Sequence, residues 1–144
     1  MSSRQKAREL ALNLLYQIES SADLPKEVAE RFYTQEACDR DEKLYSTILA
    51  FGVLAHQEKI DSYISAVSQN WRFERLADLD RNIIRLGLYE LLYAEDIPPR
   101  VAINEAVNLA KKFGSSPKSY AFVNGILDAI YQANRGQIDP TKTA

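Results

Sequence analysis

Residues 97–114 read Ile97-Pro98-Pro99-Arg100-Val101-Ala102-Ile103-Asn104-Glu105-Ala106-Val107-Asn108-Leu109-Ala110-Lys111-Lys112-Phe113-Gly114, and Phe122-Val123-Asn124-Gly125-Ile126-Leu127-Asp128 follow shortly after. Pro98-Pro99 suits a helix start, where proline's missing N–H would have been unpaired anyway. Ile103, Ala106, Val107, Ala110 and Phe113 then recur every three to four residues, which is one face of a helix. Gly114 is expected just past its end, in the left-handed conformation that glycine adopts without penalty. Ser116 is expected to cap the next helix, with Pro117 at its first position. The core side of that helix is read as Phe122, Ile126, Ala129, Ile130 and Ala133, with Gly136 closing it. Two packed helices joined by a tight, basic turn result.

The same period extends outward from this pair. Leu79, Ile83, Ile84, Leu86, Leu88, Leu91 and Leu92 make a helix over about 79–95 that is apolar most of the way round, as at the centre of a bundle. Asp78 is its candidate N-cap, and residues 70–79, with Trp71, form an irregular or short helical connector. Asp39 and Glu42 have capping-box spacing, so a long helix is expected from Arg40 to about Gln69. It changes which face it buries and so joins two subdomains. Gly52 within it costs about 1 kcal/mol relative to alanine, which implies a close helix contact. Near the start, Ala7, Leu10, Ala11, Leu14, Leu15 and Ile18 mark a helix over about 4–20. After a loop at 20–25, Pro25 opens a short helix to about Ala37. No segment has the strand period, and no repeat is visible. The expected architecture is all-α: six or seven helices in one domain, 1–136, with three-helix subdomains at about 1–70 and 71–136. Residues 137–144 are expected to be a disordered tail.

Composition narrows the function classes. The chain has 144 residues, enough for one full domain, with 46% hydrophobic and 26% charged residues, ordinary globular values. The net charge of −2 argues against a broad electrostatic footprint on nucleic acid. RNA binding would need a small basic patch, base stacking or a basic partner. The one cysteine, Cys38, cannot form an internal disulfide and fits a reducing cytoplasm. Charges interrupt every apolar run before it reaches membrane-span length, so a soluble cytoplasmic protein is expected. His56 and Cys38 are far apart and make no metal-ligand pattern. There is no phosphate-binding glycine loop and no nucleophile elbow. Asp39, Asp41 and Glu42 suit a helix N-terminus. No catalytic residue, metal or cofactor is expected.

Two features suit RNA. The first is the opening basic run Arg4, Lys6 and Arg8, in which Arg4 and Arg8 share a flank with Leu12 and Tyr16 at i+4 spacing. Cations at a helix start oppose the helix dipole, which invites a functional explanation. The second is the turn Lys111-Lys112-Phe113-Gly114-Ser115-Ser116-Pro117-Lys118. The helix N-terminus after it presents backbone N–H groups suited to a phosphate, and Lys112 and Lys118 add charge. Phe113, Tyr120 or Phe122 offer a face for stacking a base, although Phe122 also lies on the apolar stripe.

The chain resembles the NusB family of bacterial transcription antitermination factors from about Arg4 to Tyr131. The resemblance is carried by Lys6-Ala7-Arg8-Glu9 with Ala11, Leu15, Tyr16 and Gln17; by Phe51-Gly52-Val53 with Ile60-Asp61; by Trp71 with Leu79-Asp80-Arg81, Ile84-Arg85 and Tyr89-Glu90-Leu91; and by the two stretches quoted first. It implies a non-enzymatic all-α protein of two three-helix subdomains. It further implies binding of boxA RNA together with NusE, a ribosomal small-subunit protein, within the RNA polymerase antitermination complex of ribosomal RNA operons. By the same resemblance Arg4, Lys6, Arg8, Lys112, Phe113, Lys118 and Phe122 are expected at the RNA, and Tyr16, Asp80 and Arg85 at the protein partner. Gln5 and Lys6 stand where some relatives carry arginine. NusB-like domains also precede RNA cytosine methyltransferase domains, but this chain has no cofactor-binding βαβ segment. A competing expectation is a protein-only scaffold or homodimer, with the tyrosines and Trp71 as anchors.

Overall fold

Ala7, Leu10, Ala11, Leu14, Leu15 and Ile18 form one buried stripe along α1 (Ser3–Glu19), as their spacing predicts. The computed structural model describes residues 3–68 and 76–142. α2 (Pro25–Gln35) starts on its proline and lays Val28, Ala29 and Phe32 into the same core. α3 (Arg40–Ala55) is the main packing partner of α1. It opens with a complete capping box: the Glu42 N–H donates to the Asp39 carboxylate at 2.8 Å, and the Asp39 N–H donates to the Glu42 carboxylate at 2.9 Å.

The expected long helix from Arg40 is in fact two. It breaks at His56, whose backbone sits at φ −114° and ψ 16°, and α4 (Gln57–Val67) continues in a new direction. The change of buried face in the sequence is thus achieved by a bend, which turns fully buried Ile60 and Ile64 into the core beside α5 and α7. The His56 ring stacks on Tyr93 of α5 at 4.2 Å between centroids. A Cβ at Gly52 would overlap the Tyr89 ring, so glycine is what lets α3 approach α5 there.

α5 (Asp78–Tyr93) is the central helix and touches α1, α3, α4, α6 and α7. Asp78 is its first residue rather than its cap; Ala77 holds the cap position without a side-chain bond, and Asp78 pairs with Arg81. Trp71 and the rest of the connector over 69–75 lie outside the described residues. α6 (Pro99–Phe113) begins on Pro99, and α7 (Ser119–Ala133) returns along it. The inward face of α7 is Val123, Ile126, Leu127 and Ile130, while Ala129 and Ala133 face out. The larger side chains of Val123 and Leu127 claim the core, which rotates the helix by one position and leaves Phe122 half-buried at its edge.

The expected disordered tail is instead docked as far as residue 142. α8 (Arg135–Ile138) and a 3-10 turn at Asp139–Thr141 carry Ile138 into the core at 2% exposure. The Lys142 ammonium then donates to the main-chain oxygens of Glu90 and Ala94, both at 2.6 Å. Those carbonyls end α5 and each also accepts a backbone N–H, Glu90 from Ala94 and Ala94 from Ile97, so Lys142 is a second donor to each. Gly136 lies inside α8 and does not close α7. Among the described residues there are eight α-helices and no strand, around one contiguous hydrophobic core. No described helix is long and apolar enough to cross a membrane.

Candidate nucleic-acid and partner interface

The basic turn between α6 and α7 is held from below by a single carboxylate. Asp80, in the first turn of α5 and 5% exposed, accepts a bond from the Ser115 N–H at 3.0 Å and a second, short one from the Ser115 hydroxyl. The Ser116 N–H donates to the Ser119 hydroxyl at 3.1 Å, and the Lys118 N–H donates to the Ser116 hydroxyl at 3.1 Å. Ser116 therefore braces the turn instead of capping α7, whose cap position is Lys118. Gly114 is extended, at φ −61° and ψ 153°, not left-handed. Glycine is needed there for space: an added Cβ would collide with the Ala110 carbonyl and with Ser119. The result is a turn of fixed shape, with Lys112 and Lys118 exposed on either side.

Two clefts flank it. One, of about 550 Å³, has an apolar lining of Leu12, Tyr16, Leu79 and Phe113, and a charged rim that includes Lys6, Glu9 and Glu36. Tyr16 is 49% exposed and Leu79 36%, both large values for apolar rings and chains in a packed protein. The other, of about 650 Å³, is bounded by Ala77, Asp80, Ser115, Lys118 and Phe122. It combines one aromatic wall with several hydroxyls and a cation. Phe113 lies in the first cleft, and the Lys112 ammonium sits 5.3 Å from its ring centroid.

Three expected site residues are buried and held by the protein's own groups. Arg8 is 4% exposed, and its guanidinium grips Glu90 through Nε at 2.8 Å and Nη2 at 3.0 Å, with Glu105 at 3.2 Å from Nη1. Burial pushes that guanidinium's pKa down, but the Glu90 bonds and charge outweigh it, so the net shift is upward. Arg8 ties α1 to α5 and α6, and its guanidinium is engaged by their carboxylates. Arg85, 6% exposed, holds both oxygens of Asp61 at 2.9 Å and reaches Glu19 and Asn82 at 3.2 Å. It joins α1, α4 and α5 through these side chains. Asp80 likewise points at Ser115, not outward. In each case the charge is engaged within the protein: Arg8 and Arg85 by carboxylates, Asp80 by the turn residue Ser115.

Of the remaining residues Lys6, Tyr16 and Phe113 line the first cleft and Lys118 and Phe122 the second, while Arg4 lines neither. Arg4 pairs with Asp96 at 3.1 Å and lies 4.0 Å over the Tyr45 ring. Lys6 donates to the Ala37 carbonyl at 2.6 Å with Glu42 at 3.8 Å, and Lys112 meets both oxygens of Glu9 at 3.1 Å. Leu79 and Glu36 were missed as site residues, because nothing in their local sequence says that the start of α5 and the end of α2 border α1. Among the described residues no group of three His, Cys, Asp or Glu side chains could hold a metal. Burial raises the Cys38 thiol pKa, which makes it a poorer nucleophile.

The model of the NusB family matches residues 5–132. The chain belongs to the NusB family. It is 40% identical over 131 residues to the transcription antitermination protein NusB of Syntrophus aciditrophicus, covering 91% of this chain and 81% of that one. Its fold is similar to T. maritima NusB, with a TM-score of 0.80 and 33% identity over 94% of this chain and 96% of that one. It is also similar to a NusB chain in a crystal structure of antitermination factors NusB and NusE with double-stranded RNA, at TM-score 0.78 and 31% identity, covering 92% of this chain and 98% of the other. The NusB architecture therefore holds along nearly all of the described chain.

Proposed function

We propose that this chain is a transcription antitermination factor that binds boxA RNA together with NusE and works within the RNA polymerase antitermination complex. The observation that carries the reading is the shared position of Phe113. One of its sides belongs to the apolar Tyr16–Leu79 cleft, and the basic turn of Lys112 and Lys118 begins at the residues next to it. A protein and an RNA bound to these two surfaces would touch each other as well as this chain. The rim carboxylates Glu9 and Glu36 favour a basic protein in the apolar cleft. The α7 N-terminus, Lys118 and the Phe122 wall favour a phosphate and a stacked base in the other.

This arrangement agrees with the mild acidity of the chain. A net charge of −2 gives little long-range pull on RNA, so a basic partner supplies part of the phosphate affinity. The role involves no bond-making chemistry, and it belongs in the cytoplasm, where transcription occurs in bacteria. The test is fluorescence anisotropy of labelled boxA RNA and a scrambled control, with and without NusE, at two salt concentrations. Sequence-dependent binding that tightens with NusE is expected. Equal, weak binding to both RNAs in every condition would overturn the reading and leave a protein-only scaffold.

A further inference from the structure

The cations at the RNA-facing surface are not waiting for a ligand. Arg4 is paired with Asp96, Lys6 is held by the Ala37 carbonyl and by Glu42, and Lys112 is clamped by Glu9. Arg8 is spent inside. Among the described residues Lys118 is the one of these expected contacts whose side chain has no ion pair. An RNA phosphate must therefore compete with a carboxylate of the protein itself.

The competition is strongest at Lys112. Asp96 meets Arg4 through one nitrogen and is 65% exposed, so water and salt weaken that pair. Glu9 offers both oxygens to Lys112 at 3.1 Å, and although Lys112 is 53% exposed Glu9 itself is only 25% exposed, so the two-point contact is the firmer of these surface pairs. Glu9 also borders the apolar cleft, which it lines with Tyr16 and Phe113. On its other side it lines a seam between α1 and α6 with Arg8, Glu105, Asn108 and Lys112, so Lys112 is the exposed cation there.

We propose that Glu9 competes with RNA phosphate for Lys112, and that this carboxylate sets how tightly the Lys112 side of the basic turn takes RNA. The inference rests on the RNA-binding reading above. When a phosphate arrives, Lys112 leaves Glu9, and Glu9 remains as an unpaired negative charge beside the RNA. A basic protein in the adjoining cleft removes that penalty by pairing with Glu9, which links partner binding to RNA binding without any change of fold.

The test titrates labelled boxA RNA at low and moderate salt into wild type, Glu9→Gln, Lys112→Ala and the double variant, each free and saturated with NusE. Glu9→Gln keeps the size and hydrogen-bonding reach of the side chain, so unchanged melting will confirm an intact fold. Free Glu9→Gln should bind RNA about two- to fivefold more tightly than wild type, the range spanned by exposed ion pairs. Its salt slope should be steeper by up to about 0.7, as expected when one more single-strand phosphate contact forms. The gain should vanish in the Lys112→Ala background and shrink when NusE is present. No gain at low salt, or an equal gain without Lys112, would overturn the competition while leaving RNA binding standing. Wild type that ignores boxA RNA even with NusE would overturn the RNA reading and the competition with it.

Discussion

Arg8 of α1 and Glu90 of α5 form a two-pronged ion pair inside the protein, at 2.8 and 3.0 Å, with side-chain exposures of 5% and 2%. Tyr45 of α3 donates its hydroxyl to the same carboxylate, and Glu105 of α6 takes the remaining guanidinium nitrogen. Four helices thus meet on one buried charge cluster. Removing Arg8 leaves Glu90 buried and short of its counter-charge, which costs about 3–5 kcal/mol. Arg8→Ala should therefore lower the urea midpoint sharply, and Arg8→Lys should rescue it poorly, because an ammonium cannot copy the fork. A variant with wild-type stability and weakened RNA binding would return Arg8 to the surface role that its sequence position suggests.

Asp80 acts at a distance through Ser115. Asp80→Ala removes both acceptors that hold the turn between α6 and α7. The expected outcome is faster amide exchange at Ser115 and its neighbours, with the α5 and α7 cores still protected. RNA affinity should fall while NusE affinity holds, since Tyr16 and Leu79 are untouched. Exchange at wild-type rates throughout 114–119 would show that the turn needs no such brace.

How much of this was legible beforehand depended on range. α1, α2 and α6 follow from apolar spacing and terminal prolines, and the Asp39–Glu42 box is a purely local signal read in full. The His56 break was not, because α3 and α4 are each regular and only the stacking of His56 on Tyr93 from another helix reveals the bend. The docked tail was missed for a similar reason. Ile138 is a lone apolar residue after Gly136, and its burial depends on the ends of α5 and α7. The site divided along the same line. Tyr16 and Phe113 line one cleft, with the Lys112 ammonium beside the Phe113 ring. Arg8 is expected at the surface from its place in a basic helix start and from the resemblance, and Arg85 and Asp80 from the resemblance, but their partners, 82, 24 and 35 residues away, are carboxylates or a turn serine.

Tyr45 makes the fold sensitive to alkali. Burial raises its phenol pKa well above the ordinary 10.0, and the Glu90 charge and hydrogen bond raise it further. Burial moves Tyr89 and Tyr93 the same way. Below about pH 10 the phenol is protonated in both folded and unfolded chains, and its contribution is fully present. Above that, the unfolded chain gives up the proton while the folded one retains it, so stability is lost as pH rises toward the folded value. Melting temperatures from about pH 8 to 11 should fall more steeply for wild type than for Tyr45→Phe. Parallel curves would mean that Tyr45 ionises as freely in the fold as in water.

The last turn of the chain is the remaining point of leverage. Ile138 fills a place in the core, and Lys142 supplies donors to the carbonyls of Glu90 and Ala94. Burial lowers the Lys142 pKa against the pull of Glu90, Asp96 and Glu95, so the ammonium is held at some desolvation cost. Ile138→Ala removes three carbons from a packed site and should destabilise by about 2 kcal/mol or more. Lys142→Met keeps the aliphatic stem but deletes the donors, and it should cost less, because water can reach a half-buried helix end. A chain ending at Asn134 loses both contributions and should melt below either single variant. If that truncation melts with wild type, the tail is a passenger on the bundle, and the end of α5 is satisfied by its own backbone bonds and solvent.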